Sequence, residues 1–431
     1  MRHKGCSLVT ANLNGMSSDS STRIKMEDIL IENKKEAGSF YWFTDGSNRF
    51  VAHNDLYVQD INADGLEEIF LAGFETQPNT PSEFSNISTA IFGWQTGNLQ
   101  NLTNQWLPNG LNHVEGVGDV VFNDFNGDGR VDVFFSGYAD MDHQVNAYAF
   151  YNQGTSFSRV SLGLTEWQHG ASTGDLNNDG YADVVVAGYA SPLFIYLGSS
   201  KGLVTTTKDP SDPLNSYLTF GSGVSLGDFL NNGSTSIVVV DSGIVGENPA
   251  DTILLEPDLL DTEIQDLRQV KTLPLPRLEN PSFNIQTNNY DKSHDVRARS
   301  IDFNRDGLDD IIIFSRAGWT GQEWPEVSQM QFLRNDGNGE FSDVTDSLLV
   351  GYNLNSNASY SPRIEDFNRD GWLDIFVSAA SFEGTHDSTS LFLGKPDGRF
   401  VAVNNPSLSE AVHGVGALPR SPKALKERFI L

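Results

Sequence analysis

A lone cysteine, Cys6, leaves this 431-residue chain no way to form a disulfide with itself, so burial, hydrogen bonding or bound ions must hold the fold. No run of 18 apolar residues occurs, which excludes a helical membrane span. The first residues, MRHKGCSLVTANLNG, lack the apolar stretch of a secretory leader. Gly5-Cys6-Ser7 faintly resembles a lipoprotein attachment site, but His3 and Lys4 stand where apolar residues belong. Basic residues are scarce: 28 Lys and Arg against 57 Asp and Glu give a net charge of −29. That surface repels phosphate and argues against a nucleic-acid partner. Turn formers, by contrast, are plentiful, with 40 glycines among many Asn, Asp and Ser, and such turns favour all-β structure.

Many of the acids stand at fixed spacing. Five segments align without gaps: DINADGLEE from Asp60, DFNGDGRVD from Asp124, DLNNDGYAD from Asp175, DFNRDGLDD from Asp302 and DFNRDGWLD from Asp366. A sixth, DFLNNGSTS from Asp228, keeps the frame but has lost most of its acids. Each is followed by a β-branched or aromatic run, such as Val184-Val185-Val186 or Ile311-Ile312-Ile313, too short for a helix and read as a buried strand. Later in each unit comes an aromatic strand, a Gly/Asn turn and another strand, as in FYNQGTSF (Phe150 to Phe157), FLRNDGNGEF (Phe332 to Phe341) and LFLGKPDGRF (Leu391 to Phe400). Four strands per unit is the pattern of a propeller blade.

The terminal segments suggest one blade more. Phe429-Ile430-Leu431 supplies a second strand with nothing after it, while FYWFTDGSNRF (Phe40 to Phe50) is a hairpin with nothing before it. Joined, they would finish a sheet and leave no open edge. The expectation is therefore an all-β, seven-bladed β-propeller over residues 38–431, its seventh blade closed by both termini, with residues 1–37 a tail or linker. The stretch 243–298 fits no frame; within it, DLLDTEIQDLRQV reads as a short helix.

The loop spacing has a chemical reason. Calcium takes six to eight hard oxygens, which positions 1, 3, 5, 7 and 9 of a tight loop can supply. The expected ligands are Asp60, Asn62, Asp64, Leu66 and Glu68; Asp124, Asn126, Asp128, Arg130 and Asp132; Asp175, Asn177, Asp179, Tyr181 and Asp183; Asp302, Asn304, Asp306, Leu308 and Asp310; and Asp366, Asn368, Asp370, Trp372 and Asp374. Position 7 would offer its backbone carbonyl, which explains why its side chain varies. An EF-hand would need Glu at position 12 and a following helix; position 12 here is Leu71, Phe135, Val186, Ile313 or Val377. About five ions are expected, none in the degenerate loop.

These repeats resemble the FG-GAP or VCBS family of calcium-binding propellers, similar to the integrin alpha-chain head, over about residues 38–431. The resemblance implies an extracellular or cell-surface location, structural calcium, and recognition of a glycan or protein rather than catalysis. In such propellers the face opposite the acidic loops is the usual binding surface. His53, His113, His169, His294 and His413 all precede a first strand, and Trp167 accompanies them; these are the candidate ligand-binding residues. Aromatic rings with polar neighbours suit sugars, and histidines can also act as acid and base. A lectin-like or adhesion module is the favoured reading. A polysaccharide-cleaving enzyme of lyase type and a structural assembly subunit are the alternatives.

Overall fold

Apolar runs that follow an acidic loop are continuous rather than alternating, which is what a strand buried on both faces requires. In the computed structural model they become the second strands of β-sheets stacked around a ring. The structure describes residues 7–12, 23–25, 51–75, 89–95, 98–111, 114, 117–137, 145–165, 168–188, 191–206, 218–242, 251–274, 295–316, 328–350, 363–368, 370–377, 390–403 and 428–430.

Six sheets of four or five strands form the blades of the ring. Blade 1 comprises Val51–Gln59, Glu68–Glu75, Ala90–Gln95 and Asn98–Asn101. Blade 2 comprises Val117–Asn123, Asp132–Gly137, Val145–Asn152 and Phe157–Thr165. Blade 3 comprises Gln168–Gly174, Asp183–Gly188, Phe194–Leu197 and Val204–Thr205. Blade 4 has Leu218–Gly227, Ser236–Ser242, Asp251–Leu260 and Glu263–Leu273, with Ser191–Pro192 added beside its first strand. Blade 5 has Asp295–Ile301, Asp310–Arg316, Ser328–Gly337 and Glu340–Asp343. Blade 6 has Arg363–Glu365, Asp374–Val377, Ser390–Gly394 and Phe400–Ala402, and takes Leu349–Val350 as a parallel fifth strand.

The core lies between blades. Val184 and Val186 pack toward blade 2, with Phe134 and Ala147, whereas Val185 and Ala187 pack toward blade 4, with Val224 and Ile237. Likewise Ile311 and Ile313 face blade 4, and Ile312 and Phe314 face blade 6. Alternate side chains of one strand thus serve two cores. Burying each contributes about 1.5–3 kcal/mol.

At the axis the first strands of blades 1 to 5 lie side by side in succession, and one carboxylate binds four blades together. Asp119 of blade 2 accepts hydrogen bonds from Tyr57 Oη of blade 1 (3.0 Å) and the Ala171 N–H of blade 3 (2.9 Å). Arg297 of blade 5 reaches across and pairs with it at 3.3 Å. Both side chains are almost fully enclosed, at 10% and 3% exposure. Blades 2 and 5 are diametrically opposed in a ring of six.

The seventh blade expected from the sequence is not formed. Each of the six frames closes its own blade with strands from its own segment, so none has to borrow from the termini. Arg428–Ile430 pairs instead with Ser7–Asn12, which also pairs with Arg23–Lys25; that three-stranded sheet is too small for a blade. The 40–50 hairpin lies outside the described residues. The segment read as a short helix is the outer hairpin of blade 4, with Leu260 opposite Glu263 across a two-residue turn. Its Leu254, Leu255, Leu267 and Leu273 are buried as strand residues, and Asp261 takes the left-handed φ of +57° that the turn needs.

Removing one member of a buried ion pair strands the other's charge. Arg297→Met should therefore cost about 3 kcal/mol in urea unfolding, and the double variant Asp119→Asn/Arg297→Met should recover part of that loss. A single variant as stable as the parent would mean that the axial pair ties nothing together.

Candidate cation-binding loops

Each acidic loop is wound by its own side chains. The position-1 carboxylate accepts the N–H of the glycine at position 6: Asp60 from Gly65 at 2.9 Å, Asp124 from Gly129 at 2.7 Å, Asp175 from Gly180 at 3.0 Å, Asp302 from Gly307 at 2.9 Å and Asp366 from Gly371 at 2.8 Å. These glycines have φ between +81° and +90°, a conformation a Cβ would strain. Position 3 accepts from position 5, as Asn126 Oδ1 does from Asp128 N–H at 2.9 Å, and position 5 accepts from position 7, as Asp128 Oδ1 does from Arg130 N–H at 3.0 Å. Hard oxygens from positions 1, 3 and 5 are thereby gathered in each turn.

Loop 4 separates the turn from its acids. Asp228 still accepts from Asn232 N–H (3.0 Å) and Gly233 N–H (2.9 Å), and Gly233 has φ +81°. The shape is kept although Leu230 and Ser236 replace the donors of positions 3 and 9. Asp at position 1 and Gly at position 6, with Asn232 at position 5 accepting the Ser234 N–H at 2.9 Å, are enough to form the turn.

Position 9 does something the spacing did not reveal. Its carboxylate is buried in every acidic loop and ties the loop to the blade behind it. Asp132 accepts from Phe125 N–H (3.2 Å) and from Asn152 N–H (2.8 Å) at the end of the third strand. Asp183 likewise holds Leu176 and Gly198, Asp310 holds Phe303 and Asn335, and Asp374 holds Phe367 and Gly394. Glu68 accepts from Ile61 N–H and Asn62 Nδ2. Burial pushes these acids up, to about 7 for Glu68, Asp132, Asp183 and Asp310 and about 6 for Asp374. Their backbone hydrogen bonds oppose the rise and nearby loop carboxylates add to it.

Three position-7 side chains, whose identity was expected to vary, meet position 4 of the preceding loop. Tyr181 lies so close over Gly127 that a Cβ there would fall 2.7 Å from its ring. Trp372 packs beneath the Arg305 guanidinium at 4.0 Å, and Ser234 Oγ lies 3.4 Å from Asn178 Nδ2.

The donor set fits a hard cation. All side-chain donors are oxygens, and Asp60 Oδ1 is buried without a hydrogen-bond donor. Among the described residues no three His, Cys, Asp or Glu side chains alone converge on a metal position, so an ion would also need the position-3 amide oxygen and a backbone carbonyl. Of the expected ligand-face residues, His53 and His169 sit near the starts of the first strands of blades 1 and 3, at the end opposite the acidic loops. Their side chains, and His113, Trp167, His294 and His413 altogether, lie outside the described residues. Asn152, Asn335, Asp119 and Arg297 went unnoticed in the sequence. Asp119 and Arg297 share one signal, since each stands five residues before a motif start.

A ring of β-sheets in which acidic nine-residue loops join the first two strands defines a β-propeller of repeated loop-bearing blades. The chain belongs to the FG-GAP-like repeat family, which matches residues 60–135, 124–186, 175–239 and 302–377 and so covers more than half of it. Integrin alpha-IIb of Mus musculus is 27% identical over 252 residues, covering 50% of this chain and 23% of that protein; the chain spans under a quarter of that relative. Among solved structures, a Lactobacillus plantarum protein gives a TM-score of 0.44 at 11% identity, covering 79% of this chain and 82% of its own. The six-bladed fucose-recognising lectin of Aleuria aurantia gives 0.38 at 9% identity, covering 81% and 95%. Likeness at that level carries no functional information.

The pH response follows from position 9. A carboxyl whose folded pKa exceeds its unfolded value binds its proton first in the folded state. The stability of the chelator-treated chain should therefore rise as pH falls from about 7 to about 4, and calcium should oppose that trend by taking the proton's place. A chelated chain that melts at lower temperature at pH 5.5 than at pH 8 would contradict this reading of the buried acids.

Proposed function

We propose that this chain is a calcium-stabilised β-propeller acting outside the cell as a binding module for a glycan or protein, on the face opposite its acidic loops. The observation that carries the cation half is the repeated oxygen set of five in-frame loops, with Asp60 Oδ1 buried and lacking a donor. Bound calcium would neutralise loop carboxylates that otherwise repel one another, and would hold the turns in place. Positions 1, 3, 5 and 9 would supply side-chain oxygens and position 7 its carbonyl. Loops of this kind suit the millimolar calcium found outside cells, and the likeness to an integrin alpha chain supports that location. The binding half rests on the placement of His53 and His169 at the opposite end of the first strands.

Two experiments test the two halves. Chelation should lower the melting temperature and millimolar calcium should restore it, because an ion that binds only the folded state stabilises by mass action. Asp179→Ala should lose about one ion, whereas Asn232→Ala, in the degenerate loop, should lose none. No calcium by elemental analysis, with an unchanged melt, would end the cation reading. For the face, a glycan array run beside an assay for unsaturated sugar products separates the candidates. Glycan binding that His169→Ala weakens at unchanged ion content supports a lectin-like module. Product formation identifies a lyase, and silence in both, with a stable protein partner, identifies an assembly subunit.

A further inference from the structure

The acidic loops of neighbouring blades are joined by a chain of buried hydrogen bonds. In blade 1, Glu68 accepts the Ile61 N–H at 3.1 Å. The Ile61 carbonyl in turn accepts from Asn152 Nδ2 of blade 2 at 2.7 Å. The Asn152 N–H donates to Asp132 at 2.8 Å, and Asp132 holds the Phe125 N–H of its own loop at 3.2 Å. Glu68, Ile61, Asn152 and Asp132 are each at most 4% exposed, so water cannot replace a broken link, and an unmade bond leaves a desolvated polar group. Asn152 is also fixed from below, since its Nδ2 donates to Val131 O at 3.1 Å and its Oδ1 accepts from Gly154 N–H at 2.8 Å.

We infer that Asn152 is a positioning residue shared by two cation sites, so that the loops of blades 1 and 2 take up calcium as a coupled pair. This rests on the cation reading above and adds to it. An ion in loop 1 draws on Glu68, which also accepts from the Ile61 peptide and from Asn62 Nδ2. Any shift there changes the carbonyl that Asn152 bonds, and Asn152 holds the position-9 acid of loop 2. The coupling is reciprocal, as linkage requires.

Blade 5 contains the same device with one end disconnected. Asn335 N–H donates to Asp310 at 2.8 Å, and its Nδ2 donates to Phe229 O at 3.0 Å and Asp309 O at 3.1 Å. Every side-chain bond of Asn152 has its counterpart, down to the Oδ1 that accepts from Gly337 N–H at 2.9 Å, although the Asn152 carbonyl also accepts from Arg130 Nε. The loop it reaches, however, is the degenerate one of blade 4, which has Leu230 and Ser236 where acidic loops carry donors. Asn335 therefore serves a single site and is the internal control for Asn152. Blade 3 shows that a smaller residue is tolerated, since Gly198 fills the equivalent place and Ser199 N–H reaches Phe125 O at 3.3 Å.

The test is calorimetric titration of the intact chain with calcium, for the parent, Asn152→Gly and Asn335→Gly. Both variants delete the same hydrogen bonds from buried sites, so in chelator they should lose similar stability. Asn152→Gly should weaken two bound ions by ~10-fold, and Asn335→Gly only one, the difference expected of a typical coupling between sites. Equal numbers of weakened ions in the two variants would overturn the coupling while leaving calcium binding intact. A parent chain that takes up no calcium would overturn the cation reading and the coupling together. If Asn152→Gly does not fold, Asp128→Ala on the exposed part of loop 2 reads the same link. Loss of its ion should weaken at least one other ion by ~10-fold, and four remaining ions of parental affinity would refute the pairing.

Discussion

A carboxylate withdrawn from water must be met by hydrogen bonds or by a cation, and five of the six blades are arranged around that requirement. The position-9 acid enters the blade at the start of the second strand, where flanking apolar residues carry it into the interior. Its two oxygens then take one N–H from the loop ahead and, in blades 2, 3, 5 and 6, one from the end of the third strand. Loop, second strand and third strand are fixed by one group. Blade 4 has Ser236 there, whose Oγ donates to Gly227 O within the same blade, and it is the blade whose outer hairpin is longest.

The same logic appears at the axis, on a larger scale. Asp119, in blade 2, is satisfied by groups from blades 1, 3 and 5, so a single buried charge sets the relation of four of the six blades. Buried ion pairs seldom add stability over apolar packing, but a half-pair is costly. Arrangements in which Arg297 and Asp119 cannot meet are therefore disfavoured, and a ring in which blades 2 and 5 stand opposite one another satisfies the pair. Charge at the loops and charge at the axis thus act differently: the first is gathered at an exposed turn that can admit an ion, the second is closed off by its partners.

Much of this was legible in the residues. The acidic frames, the strands after them and the hairpins later in each unit appear where the periodicity placed them, because turn chemistry and two-sided burial are local properties. Number of blades was not local. Phe429-Ile430-Leu431 and the 40–50 hairpin look like matching halves by pattern, yet pattern does not say which edge a strand will meet, and Arg428–Ile430 meets Ser7–Asn12. The 258–270 stretch misled for a related reason. Its leucines and glutamines suit a helix by propensity, but pairing across the Asp261 turn buries Leu267 against blade 3 and 4 side chains, and tertiary packing overrode the weaker preference.

Sequence by itself determined the repeat, the turn and the oxygen donors of each loop, since Asp at position 1 and Gly at position 6 act within nine residues of one another. Only the tertiary structure decided that position 9 faces inward to third-strand backbone, that Asn152 bridges two loops through its bond to Ile61, 91 residues away, and that Arg297 finds Asp119 across 178 residues. The first joins strands of one blade, and the other two join groups from different blades, whose geometry exists only once those blades stand side by side or opposite in the ring; no spacing along the chain encodes them.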